Sequence, residues 1–317
     1  MVFSFVEKII ACPGFFDNMT RKNFLQRAAV KMGGKTVKSK ILLRVIPTVA
    51  VGLIVMAAVI FNFVKGEFEQ QIIESSMNNA NEVGEGVSEW LDKRLLETAE
   101  TASTYGAKTA NIELMNRNNV YRYELMGNKY PGVYDSVSFG LMDNSGILYG
   151  YNKNGKITMR NADKAWYKAV MSGVNGDNWA SSPVISASTG KIIFNSIAVA
   201  KNDAGQPTVM ILAAIYVQSV MDKVQAFKLG EKGYSLLVSK EGVYIVNPDE
   251  EAIMHKNISE EDDAAVVELG NRMLSGSSGV YHYTSTAGDK MIAFYTPIKS
   301  TGWGMATVAT KTNFSRR

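Results

Sequence analysis

Four consecutive residues, Lys164-Ala165-Trp166-Tyr167, gather a cation, an indole N–H, a phenol O–H and two flat aromatic faces where a helix-period segment begins. Such groups can hold a small anion by charge-assisted hydrogen bonds or stack a planar ring. A Trp-Tyr pair opening a helix under a sheet also serves as plain packing. Reactive groups are otherwise sparse. Cys12 is the only cysteine and His255 and His282 are the only histidines, which leaves no donor set for a histidine-rich or Cys/His metal site. Carboxylates fall mostly in turns (Asp143, Asp203, Asp249) or on the acidic stretch Glu260 to Glu268. No nucleophile elbow, H-E-x-x-H, P-loop or Gly-rich dinucleotide fingerprint is present. These residues predict binding rather than catalysis, with no cofactor. The remote enzymatic alternative is a membrane-anchored cell-wall hydrolase with scattered catalytic groups.

The elements that must position the Trp-Tyr pair are strands. From about Val133 the apolar period becomes two, with turns at Asp143-Asn144-Ser145-Gly146 and Asn152-Lys153-Asn154-Gly155 between β-rich runs. The helix carrying Trp166, Tyr167, Val170 and Met171 follows. Strands Lys191 to Ala200 and Thr208 to Val217 come next, and a helix Ser219 to Phe227 closes this half. The plan then recurs: Tyr234 to Val246 mirrors the run from Val137, and the strands Lys290 to Ile298 and Gly302 to Val308 mirror the two long strands of the first half. The turn glycine precedes the paired lysine by 45 residues in one half (Gly146, Lys191) and 48 in the other (Gly242, Lys290). That spacing predicts two copies of one α+β unit, each an antiparallel sheet with helices.

Ahead of the sheets, Phe68, Ile72, Met77, Ala80, Val83, Val87, Trp90, Leu91 and Leu95 recur at helical steps, so residues 65–105 read as one stalk helix. Before it, Val45 to Val64 is a run of 20 residues without a charge. At a rise of about 1.5 Å per residue it spans about 30 Å, the thickness of a bilayer's hydrocarbon core. Through residue 65 the chain carries 10 basic and 2 acidic residues, against 24 and 28 in the remainder. The basic flank predicts a cytoplasmic N-terminus (residues 1–44) and an extracytoplasmic remainder. The excess of basic residues is thus topological, and no nucleic-acid partner is expected. A cleaved signal peptide fits less well, because the charged flank exceeds forty residues and Lys65-Gly66-Glu67-Phe68 offers no small-residue cleavage site. Met19 is an alternative start.

An anchor, a stalk helix and two tandem modules resemble the double Cache (dCache_1) extracytoplasmic sensor domains of bacterial methyl-accepting chemotaxis receptors, which also occur in sensor kinases and cyclases. The resemblance rests on Trp166-Tyr167-Lys168-Ala169, Ser182 to Gly190 before a strand, Leu229 to Tyr234, Val246-Asn247-Pro248-Asp249 and Thr301-Gly302-Trp303. It implies an α+β fold with two PAS-like antiparallel-sheet modules: a membrane-distal, ligand-binding one (106–225) and a membrane-proximal one (226–317). It also implies a pocket. In amino-acid-sensing members an arginine, the Trp-Tyr pair and a tyrosine hold the ligand's carboxylate, and aspartates hold its ammonium. Here Lys164 stands at the arginine position, Trp166 and Tyr167 are kept, Val184 replaces the tyrosine, Ser186 replaces a carboxylate, and Ala214 (Ile215 if the register slips) replaces the strand aspartate. Arg160 is a nearby substitute cation.

An ammonium desolvated without a carboxylate costs several kcal/mol. The expected ligand therefore lacks an α-amino group, as in a small carboxylate or a pyrimidine stacked on Trp166. The amino-acid sensor and the kinase or cyclase sensor are the alternatives. Stalk helices of this family commonly pair, so a homodimer is expected. The family's second span and output domain do not precede Arg317, and the sequence reads as the sensor portion of a longer receptor.

Overall fold

The computed structural model describes residues 37–311 apart from 228 and 230–232. The basic segment expected to be cytoplasmic therefore lies mostly outside the described residues, as does the centre of the Leu229 to Tyr234 motif. Two compact units are present, residues 1–70 and 71–317. In the first, helix α1 (Val37–Ala102) is already under way, with Pro47 inside it. Its apolar residues Val45 to Val64 are exposed. Among the described residues one helix is long and apolar enough to cross a membrane, and its most apolar window has a mean hydropathy of 2.3. The predicted span and stalk are thus one helix, ending three residues short of the expected Tyr105.

In the second unit α1 is followed by α2 (Tyr105–Lys108) and α3 (Ile112–Lys129), then by two sheets. The first contains β1 (Tyr134–Leu141), β2 (Ile147–Asn152), β3 (Gly155–Arg160), β4 (Asn178–Ala180), β5 (Val184–Ile185), β6 (Ile192–Lys201) and β7 (Pro207–Tyr216). Its order is β3-β2-β1-β7-β6-β4, with β5 on β6. Helix α4 (Ala165–Ser172) lies between β3 and β4 in the chain, and α5 (Gln218–Ala226) leads out. The second sheet contains β8 (Tyr234–Val238), β9 (Tyr244–Val246), β10 (Gly279–Thr284), β11 (Lys290–Ile298) and β12 (Trp303–Thr310), with helix α6 (Ala264–Met273) before β10. Its order is β10-β11-β12-β8-β9.

The two orders are the same plan. In each, an N-terminal hairpin (β1-β2, β8-β9) is separated by a helix from a long hairpin (β6-β7, β11-β12), and the last strand returns beside the first. All pairings are antiparallel. The glycine-to-lysine spacing of the sequence is therefore a real internal repeat. Both turn glycines adopt a left-handed conformation, at φ +69° for Gly146 and +87° for Gly242, where a side chain would be strained.

One core runs between the halves. Val87, Leu91 and Leu95 of α1 pack with Val137, Phe194, Ala213 and Ile215 of the first sheet and with Leu237, Ile245, Trp303 and Met305 of the second. Trp303 meets Phe194 edge-on at 5.6 Å between ring centres. Hydroxyls line the seam. Ser196 Oγ donates to the Arg94 carbonyl (3.1 Å) and bonds Thr98 Oγ1 (2.7 Å), and Ser300 Oγ donates to the Ser88 carbonyl (2.9 Å). Gly84 allows α1 to come close, since a Cβ there would lie 2.7 Å from the Thr296 methyl.

Candidate ligand site of the first module

Strand alternation decides which side chains share a face. On β7, Val209, Ile211, Ala213 and Ile215 face the α1 side, whereas Met210 and Leu212 pack with Tyr167 and Val170 of α4. Ala214 continues the second row. It pairs with Ser136 of β1 and Asn195 of β6, without a bulge in β7. Ala214 therefore occupies the α4 face, and Ile215, the alternative register, is core against α1. The side chains on this face are small where β1, β2 and β7 meet: Ser136, Ser138, Gly150 and Ala214.

Helix α4 is held over this face from its first turn. The Gly146 N–H donates to the Tyr167 hydroxyl oxygen (3.1 Å), which leaves the phenol proton free to be donated. Gly146 also accepts from the Asn161 N–H (2.8 Å), so the β1-β2 turn and the chain entering α4 lie against each other. A Cβ on Gly146 would lie 2.5 Å from the Ala162 Cβ and 2.8 Å from its backbone nitrogen. Replacing Gly146 with alanine therefore adds a backbone clash to a left-handed φ. The expected loss is about 1–3 kcal/mol of unfolding free energy, measured by urea denaturation. At its other end α4 stops at Gly173, left-handed at φ +66°.

The sequence-predicted residues are not brought to one point. Tyr167 is buried and Trp166 half-buried, their rings edge-to-face at 6.1 Å. Lys164 is the exposed N-cap of α4, and its Nζ lies 3.3 Å from Asp163 Oδ2 at the surface. Arg160 is exposed at the end of β3. Val184 is half-buried opposite Ile193. Ser186 is buried, but at the other end of β1 from the Tyr167–Gly146 contact. At about 3.3 Å per residue, that separation along the strand is roughly 20 Å.

At the Ser186 end the structure reveals a residue that sequence reasoning missed. Asp135 is 5% exposed, and its carboxylate accepts four hydroxyl hydrogen bonds. Oδ2 accepts from Ser186 and Ser188 (both 3.1 Å), and Oδ1 from Thr189 (2.9 Å) and Tyr216 (2.8 Å). Burial, reinforced by the hydrogen bond to Asp135, pushes the Tyr216 phenol up to about 12. Lys191 Nζ sits 5.2 Å from the centre of the Tyr216 ring. Asp135 is the unpaired residue of a β1 bulge and is covered by a turn 51 residues downstream, so no local pattern announces it.

Two cavities border α3 rather than α4. One of about 810 Å³ is lined by Glu113, Arg117, Tyr121 and Lys156 among others, and one of about 390 Å³ includes Glu97, Arg122 and Tyr130. Neither is lined by Trp166 or Tyr167.

Comparison with known proteins agrees with this architecture. The first structure is the ligand-binding domain of the Pseudomonas aeruginosa PAO1 amino acid chemoreceptor PctB in complex with L-Gln (19% identity, TM-score 0.54, covering 78% of this chain and 92% of that one). The second is that of the Pseudomonas fluorescens chemoreceptor CtaA in complex with L-isoleucine (21%, 0.53, 79% and 95%). The third is the extracellular domain of mmHK1S-Z2, described as a histidine kinase (16%, 0.62, 77% and 99%). At these identities the likeness is one of fold. A search of curated proteins by sequence gave no match. Residues 64–317 match the Cache domain model dCache_1, and the chain belongs to that family of ligand-binding sensor domains.

Proposed function

We propose that this chain is the sensing portion of a membrane-anchored chemotaxis transducer. Its residues 106–225 hold a small extracytoplasmic metabolite on the sheet face beneath Trp166 and Tyr167. The observation that carries the proposal is the row Ser136, Ser138, Gly150 and Ala214. It leaves the sheet low beside Leu212, on the face against which Trp166 and Tyr167 of α4 pack. Val45 to Val64 would anchor the chain in the membrane, and α1 leads from it into both modules. A bound ligand that draws α4 toward the sheet would shift the module between two packings, with the hydroxyl-lined α1 seam as the sliding surface.

The ligand lacks an α-amino group in this reading. Val184, Ser186 and Ala214 provide no carboxylate, and each Asp135 oxygen already accepts two hydroxyls. A small monocarboxylate or a pyrimidine suits the remaining donors.

One observation favours an amine ligand instead. Asp135 is a buried carboxylate with no cation within ion-pair distance among the described residues, and solved relatives hold amino acids. Thermal unfolding of the detergent-solubilised chain with acetate, lactate, uracil and a panel of amino acids separates the two. A rise in midpoint with lactate or uracil alone supports the first; a rise confined to α-amino acids replaces it with the second.

A further inference from the structure

The face of the first sheet opposite α4 carries a buried cationic cluster that the proposed sensing site does not use. Arg122 of α3 is 7% exposed, and its Nε, Nη1 and Nη2 all lack a hydrogen-bond partner. Arg94 of α1 is 2% exposed and leaves its Nε and Nη1 unpartnered. Arg94 stacks over the Tyr130 ring at 3.7 Å. Glu97 is paired with Arg94 and makes no hydrogen bond or ion pair with Arg122. Its Oε1 accepts from Arg94 Nη2 (3.1 Å), and its Oε2 accepts from the Tyr134 hydroxyl. Two guanidinium charges therefore face one carboxylate, an excess of one positive charge in a desolvated setting. Burial pulls the Arg122 guanidinium down to about 10, against the opposing pull of Tyr134 and Glu97.

Buried charges are kept when they are paired. Here a cavity of about 390 Å³ lies between α1 and α3, lined by Glu97, Thr101, Asn118, Arg122, Leu125 and Tyr130 among others. We propose that this cavity is a second ligand site, which takes a small monocarboxylate whose charge pairs with Arg122. The guanidinium fork suits the two oxygens of a carboxylate. Glu97 and Glu100 on the cavity wall disfavour a dianion, and Leu125, Met126 and Tyr130 supply an apolar side for a short tail. The Arg122 nitrogens are buried although the residue borders the cavity, so binding turns the side chain toward it by a rotamer change. Because α1 and α3 form its walls, the site would act on the same helix as the α4-face pocket but from the other side of the sheet.

The test is thermal unfolding of the full chain in detergent with sodium propionate and, at equal concentration, its neutral isostere propionamide. It is run on wild type, Arg122→Met, Leu125→Glu and Trp166→Ala. Arg122→Met removes an uncompensated buried charge, so its midpoint without propionate should lie at or above that of wild type. Propionate, and not propionamide, should raise the midpoint of wild type and of Trp166→Ala by several degrees. It should raise Arg122→Met by less than wild type, and act on exposed Leu125→Glu only at about tenfold higher concentration. An equal response of wild type and Arg122→Met overturns the site, as does an equal response to acid and amide. A changed oligomeric state of Arg122→Met with no propionate response in wild type also overturns it, since a second copy then covers the arginine. Trp166→Ala separates this outcome from failure of the α4-face pocket, because only the latter depends on the indole.

Discussion

Trp303→Ala should cost about 3–5 kcal/mol of unfolding free energy, the range for truncating a fully buried large aromatic. Trp303 is 1% exposed, begins the last strand, and packs edge-on against Phe194 of the other sheet and within the core that includes Leu91 of α1. Its removal opens a cavity where three elements meet, so the loss is felt in both modules at once. Polar contacts at the same junction, Ser182 with both oxygens of Glu241 (2.8 and 2.7 Å), lie at the surface and contribute far less. Urea denaturation followed by near-ultraviolet circular dichroism and by hydrogen exchange in β7 checks this. A loss under 1 kcal/mol, or exchange accelerated in the second sheet alone, would mean that the modules do not share this core.

Asp135→Ala should cost about 2–4 kcal/mol, because it leaves four hydroxyls without their acceptor and frees the turn from Ser186 to Gly190. Gly190 is left-handed at φ +68°, so the turn is built to close on that carboxylate. Asp135→Asn keeps one acceptor oxygen and the shape, and should lose less. A protease nick confined to residues 182–191 in the alanine variant would show the released turn. An alanine variant as stable as wild type would show that the four hydroxyls find other partners.

Much of the fold was legible because its signals are local. The apolar run before Lys65 and the helical steps up to Leu95 predict a long helix, and α1 runs through both. The turns at Gly146 and Gly242 and the strands after Lys191 and Lys290 predict the repeat, and the sheet orders show it. Helix α3 was illegible for a physical reason. Its buried face is Met115, Asn119, Arg122 and Met126, so half of the inward positions are polar and the apolar period is masked. Asn119 faces inward because its Nδ2 donates to the Tyr149 carbonyl (3.0 Å), a partner 30 residues away. The acidic stretch from Glu260 likewise divides into a single 3-10 turn (Ile258–Glu260) and α6, because Asp263 caps the helix by accepting from the Ala265 N–H.

The candidate site was half legible. Trp166 and Tyr167 announce themselves by type and spacing, and the Tyr167 hydroxyl lies at the turn that positions α4. Lys164 and Arg160 were chosen for charge, yet both are exposed, since a cation at a helix start or a strand end is better solvated than buried. Asp135 and Glu97 matter through contacts made across the fold, and such contacts leave no local spacing to recognise.

The central claim, that the sheet face beneath Trp166 and Tyr167 holds the ligand, is tested most directly by calorimetric titration of wild type and Trp166→Ala in parallel. The titrant is whichever of lactate, uracil or the amino acids raises the wild-type unfolding midpoint. One saturable site in wild type, weakened at least a hundredfold in a Trp166→Ala chain of similar unfolding temperature, is the predicted result. Equal affinity of the two proteins would contradict it and place the ligand elsewhere on the chain.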